Sequence, residues 1–283
     1  MTTHARLSAL PEFDHPPVGE VALSVQFNRL SALQIPHFGM LWTSLKERFP
    51  QTQSHPPVPA AFEQFGEGVI APQEIRLELM NELMPARVWF ISPSGNEIMQ
   101  IQHDRFSFNW RKLSETDIYP RYGHIRQRFL DEFHNLSQFL DNEKLGEIVA
   151  NQCEVTYINH IGSGSAWEKH SELGEVLAPW RSDYSHQSLP ECESIQLTCR
   201  YLIENEEDGK KIPVGRLHVN LQPARRVSDN TPIFAMNLTA RGKPLSDGIE
   251  GAMKFIDLGH ERIVQGFTAL TTERMHKEWG LHA

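Results

Sequence analysis

The chain has 283 residues and a mass of 32.4 kDa, with 40% hydrophobic residues, ordinary values for a chain that builds its own packed interior. A formal net charge of -9 repels polyanions on average and argues against non-specific nucleic-acid binding. The three cysteines, Cys153, Cys192 and Cys199, fit neither a disulfide framework nor a zinc motif, so packing is their expected role and neither a metal nor a cofactor is expected.

No run approaches the roughly 18 consecutive apolar residues of a membrane helix, and the opening MTTHARLSALPEF lacks an apolar signal core, so the expected location is the cytoplasm, away from membranes. Residues 1 to 18 and the acidic stretch 204 to 209 read as disordered. After Pro16-Pro17, the residues Val21, Leu23, Val25 and Phe27 alternate with smaller or polar neighbours, the period of a half-buried strand. Phe38, Leu41, Trp42, Leu45 and Phe49 then recur at helical spacing between Pro36 and Pro50. The stretch SHPPVPAAF reads as a stiff extended connector, because proline fixes its own backbone and restrains the residue before it.

Strands are expected at about 74–83, 86–92 and 97–112, with Ser94-Gly95-Asn96 as the turn between the last two. Beyond Tyr119-Pro120, Ile125, Phe129, Phe133, Leu136 and Leu140 draw a helical stripe that ends near Asn142 and Gly146. The second half repeats this order. A strand carries Cys153, Val155, Tyr157, Asn159 and Ile161, a helix is expected around 166–178, and three strands follow, centred on Cys199, Val219 and Met236. A long helix with the stripe Ile249 to Leu270 closes the chain, and Gly259 and Gly266 on that stripe predict a close approach to another element. The expected fold class is α+β: antiparallel sheets covered by long helices, divided into halves 20–146 and 152–279. Each half spells strand, helix, three strands, helix, which suggests an internal duplication.

The richest polar stretch is Gln100 to Lys112. On a strand, His103, Arg105, Ser107, Asn109 and Arg111 share a face, on which Arg105 and Arg111 offer anion-binding forks and His103 a proton shuttle. Glu154, Thr156, Ile158 and His160 share a face likewise. Arg200, His218 and Arg241 fall opposite the apolar residues of their own strands and extend the binding candidates Arg105, Asn109 and Arg111. His103 and His160 are the candidate general bases, with Asp104 or Glu154 nearby. His260-Glu261 begins like a zinc-protease helix, but Val264 stands where the second histidine belongs.

The phrases VALSVQF, MLWTSLKERFP, QHDRFSFNWRK, YPRYGHIRQRFLDEF, NQCEVTYINHI and GHERIVQGFTALTTERMHKEWG span nearly the whole chain. Together they resemble a sporadically distributed family of uncharacterised bacterial proteins of about this length. The resemblance implies no activity, cofactor or site residue; a patchy distribution suits an accessory gene, for example in a defence or toxin-antitoxin locus. The leading expectation is a binding protein that takes a protein or a small anionic ligand on a polar sheet face or at the seam between halves. An enzyme with a histidine–carboxylate site and a nucleic-acid-binding module are the competing readings.

Overall fold

The computed structural model describes residues 10–66, 87–180, 188, 192–207 and 209–282. A two-residue strand β1 (Glu12–Phe13) precedes β2 (Val18–Phe27), helix α1 (Ile35–Leu45) and strands β3 (Gln51–His55), β4 (Arg87–Ile91), β5 (Glu97–Gln102) and β6 (Arg105–Arg111), followed by helix α2 (Arg121–Asn142). The second half holds β7 (Ala150–Gly162), a short helix α3 (Leu173–Val176), strands β8 (Leu197–Glu207), β9 (Lys210–Arg225) and β10 (Pro232–Gly242), helices α4 (Gly248–Leu270) and α5 (Glu273–Trp279), and a last pair of residues in β11 (Leu281–His282).

Nine strands form one antiparallel sheet in the order β3-β4-β5-β6-β2-β7-β10-β9-β8. The first strand of each half therefore lies at the centre, with Leu23 opposite Val155 and Val25 opposite Cys153. Strand alternation sends the apolar set of every central strand to one face, where the helices cover it. Val21, Leu23 and Val25 on β2, Phe106 on β6, Val155 on β7 and Leu238 on β10 are all fully buried there. The stripe of α2 packs on β6, with the rings of Phe129 and Phe133 centred 5.2 Å and 5.6 Å from that of Phe106. Over the other half lies α4. A Cβ on Gly259 would stand 3.0 Å from the Ala240 Cβ and 3.4 Å from Val155 Cγ2, so the missing side chain lets this helix settle onto β7 and β10.

The two helices are tied together by Asp257, which accepts Tyr122 Oη at 2.6 Å and a two-pronged bond from Arg126 at 2.7 and 2.9 Å. Further along α2, the buried Glu132 is held by Arg48, Arg128 and Asn135, which offsets the cost of removing its charge from water. The thiol of Cys153 is fully buried and pushed up to about 12, as suits a packing residue.

Five expectations change in detail. The run 97–112 is a hairpin, because the chain turns at His103-Asp104, whose carbonyls accept the Leu30 and Phe27 amides. The region 166–178 holds only a 3-10 turn and the four residues of α3. The closing helix breaks at Thr271, and Thr272 caps α5 through Met275 N. Part of 1–18 is ordered: β1 pairs with β11, and Phe13 is buried against Phe267 and Trp279. In the acidic stretch, Glu204 to Glu207 extend β8 opposite Pro213 to Lys210. The strand expected at 74–83 lies outside the described residues.

Candidate functional site

The other face of the sheet is polar, yet its centre is not open to water. Gln26 on β2, Gln102 on β5 and Gln152 on β7 are only 2–3% exposed. Their cover is residues 56–66, PPVPAAFEQFG, which leave β3 and cross the sheet over the strands. Three prolines hold this strap extended and remove three of its amide donors, so few backbone groups need partners. Side chains of the sheet bond several of the others. Gln102 accepts Val58 N at 2.9 Å and donates to Val58 O at 2.9 Å, replacing the pair of bonds a neighbouring strand would give. Gln26 accepts Ala61 N at 2.9 Å, and Arg105 Nη2 donates to both Gln26 Oε1 at 2.8 Å and Pro59 O at 3.3 Å.

Beyond β2, the strap delivers a charge. The Glu63 carboxylate, 8% exposed, lies against Arg216 and His218 on β9, with Arg241 of β10 at 3.8 Å. Burial opposes its ionisation, but the hydrogen bond and charge of His218, together with Arg216, outweigh burial and hold the Glu63 carboxyl below its ordinary range. Arg216 also donates to Gln64 O at 3.1 Å and lies 5.6 Å from the centre of the Phe65 ring. Arg241 spans Glu63 and Glu154, the latter at 2.6 Å. The site thus reads peptide backbone with carboxamides and an acidic side chain with two guanidiniums and an imidazole.

The strap leaves part of this face unsatisfied. Both amide atoms of Gln152, the Nε of Arg87 and Arg105, the Nε1 of Trp89 and the Oδ1 of Asn237 are buried without a partner among the described residues. All lie on the polar side of their strands. Such orphaned groups cost about 1–3 kcal/mol each and mark hydrogen-bonding capacity not used in this state.

The chain matches no protein-family model, no curated protein and no solved structure.

Of the binding residues expected from sequence, Arg105, His218 and Arg241 come together beneath the strap. Arg200 sits opposite His218 on the edge strand β8, exposed and without an ion pair among the described residues, and extends the basic patch outward. Asn109 and Arg111 do not join them. Asn109 is locked in a cross-strand ladder from Arg87 through Gln100 to Glu20, and Arg111 donates to Gly95 O, holding the β4–β5 turn. Six residues separate Arg105 from Arg111, about 20 Å along a strand, too far for one anion.

The candidate bases also separate. His103 is buried in the β5–β6 turn with its ring centre 6.3 Å from that of Phe38, and its neighbour Asp104 is occupied by Gln102 at 2.6 Å. Exposed near the far end of β7, His160 stands six residues from Glu154, and Arg241 already binds that carboxylate. Among the described residues no group of three His, Cys, Asp or Glu could hold a metal, and no helix is long and apolar enough to cross a membrane.

Four contributors escaped the sequence reading: Gln26, Gln102, Arg216 and Glu63. Gln26 and Arg216 lie on faces that strand alternation marks as polar, whereas in an uninterrupted strand 97–112 Gln102 would share the apolar face of Phe106 and Phe108; it reaches the polar face because the chain turns at His103-Asp104 and sets Gln102 opposite Arg105. Nothing local in the sequence singles out Glu63.

Proposed function

We propose that this chain is a cytoplasmic binding protein whose polar sheet face takes an extended, acidic protein segment, with residues 56–66 as the occupant supplied in cis. The observation that carries this reading is the capture of Glu63 by Arg216, His218 and Arg241 at the end of a strap bound through its backbone. A fold needing only a cover for its sheet would use apolar side chains; here charges are aligned on one carboxylate, and Arg200 waits beside them. In the same reading the halves 20–146 and 152–279 are duplicated units meeting at β2 and β7, and the groove crosses their junction. The accessory role implied by the family resemblance fits a protein that recognises another by a linear segment.

A fluorescein-labelled peptide of residues 54–66, followed by anisotropy, tests this. The Glu63→Ala chain has lost its internal anchor and should bind the peptide about ten- to a hundredfold more tightly than the wild type, the equivalent of one charged hydrogen-bond set. Adding Arg216→Ala to that chain should abolish the gain. Equal, weak binding by all three chains would refute the proposal.

A further inference from the structure

On the helix side of the sheet, where the two halves meet, lies a second site that shares no residue with the strap. A cavity of about 380 Å³ opens between the start of α2 and the middle of α4, floored by β7 and closed outside by the segment that β1 and β11 pin together. The volume falls in the roughly 300–1,000 Å³ range of small-molecule sites. Most of its wall is apolar, including Val18, Ile263 and Phe267.

Into this wall is set a line of three polar rings. Tyr119 Oη and Tyr157 Oη are 3.1 Å apart, and Tyr157 Oη is 2.9 Å from His260 Nδ1. The His260 ring stacks on Tyr122 at 3.7 Å with an interplanar angle of 8°, and Tyr122 is itself fixed by Asp257. The imidazole therefore cannot turn away, and with Nδ1 engaged its Nε2 is left with no protein partner among the described residues of the cavity it lines. Burial depresses its pKa to about 4, so it is a neutral hydrogen-bonding group at pH 7. Besides His260, the charged or titratable side chains of the lining are Glu12 and Arg121, both exposed, and the tyrosines; Arg121 is directed to Phe13 O, and Asp257 and Arg126, outside the lining, pair with each other. A charged ligand group set against the neutral His260 and the apolar wall would lack compensation there.

We propose that this seam cavity binds a small, uncharged, largely apolar molecule of the phenol class through a single oxygen that hydrogen-bonds Nε2 of His260. The proposal is independent of the strap.

The test titrates the full chain with 2-naphthol, read by its own fluorescence, and with naphthalene as the control without the hydroxyl. Saturable 2-naphthol binding is expected, at least ten-fold tighter than naphthalene and about ten-fold weakened by His260→Phe. Val264→Trp should fill the cavity and abolish binding. Gly123→Phe fills it from the rim, where a new Cβ meets nothing within 4 Å, and serves if Val264→Trp does not fold. Absence of saturable 2-naphthol binding, or binding that survives a folded cavity-filling variant, overturns the site. Equal affinity for naphthalene overturns the role of His260.

Discussion

Replacing His260 by Gln should remove much of the acid sensitivity of this fold. In the folded chain, burial drives the imidazole pKa down to about 4, from 6.5 in an ordinary setting, with only Asp257 acting in the other direction. The unfolded chain therefore binds the extra proton first. Stability rises with pH wherever the unfolded state holds more protons, so the His260 contribution is neutral above about pH 7 and increasingly unfavourable as pH falls from 6.5 toward 4. At 1.36 kcal/mol per pKa unit, a shift of this size costs about 2–3 kcal/mol at pH 4.5 relative to pH 7.5. Urea unfolding at the two pH values measures it. The variant loses the stack on Tyr122 and is expected to be weaker at both, so the quantity compared is the difference between pH values, which should shrink by about 2 kcal/mol relative to the wild type. An undiminished pH difference would show that the imidazole is not buried in the Tyr119–Tyr157 line, and would refute this reasoning.

Phe129→Ala empties a fully buried site between Phe106 and Phe133 and should destabilise the chain by about 3–5 kcal/mol, visible as a lower urea midpoint with an unchanged slope. Arg105→Ala removes a charged donor from Gln26 and Pro59 and should cost about 1.5–3 kcal/mol and loosen the strap, whereas Arg111→Ala loses one bond to the β4–β5 turn, costs about 1 kcal/mol and leaves peptide binding unaltered. A larger cost at Arg111 than at Arg105 in the same urea assay would reverse that assignment.

The elements with regular apolar spacing were legible in the sequence. β2 and the stripe of α2 were readable because each side chain's environment follows from its own strand or helix period. The two-residue turn at His103-Asp104 was not, because it contains no glycine, asparagine or proline and is fixed by amides of residues 27 and 30. The polar parity of β2 was correct, but alternation could not show that Ser24 and Gln26 are buried, since their cover arrives from a connector that pattern alone reads as a linker. Contacts of long sequence separation were the least visible. Glu63 meets residues 153 and 155 positions away, and His260 meets a tyrosine 103 positions away. Tyr119 had served only to mark a helix start, and His260 only to fail a zinc motif.

Amide hydrogen exchange at Val58 and Ala61 tests the displaceable strap most directly, because both donate to side chains of the polar face and to nothing in the sheet backbone. The account predicts that they are protected in the free chain, open several kcal/mol more easily than the β2 amides, and lose protection when the 54–66 peptide is added in excess. Exchange of both amides at the rate of the β2 core, unchanged by the peptide, would contradict it and make the strap a permanent part of the fold.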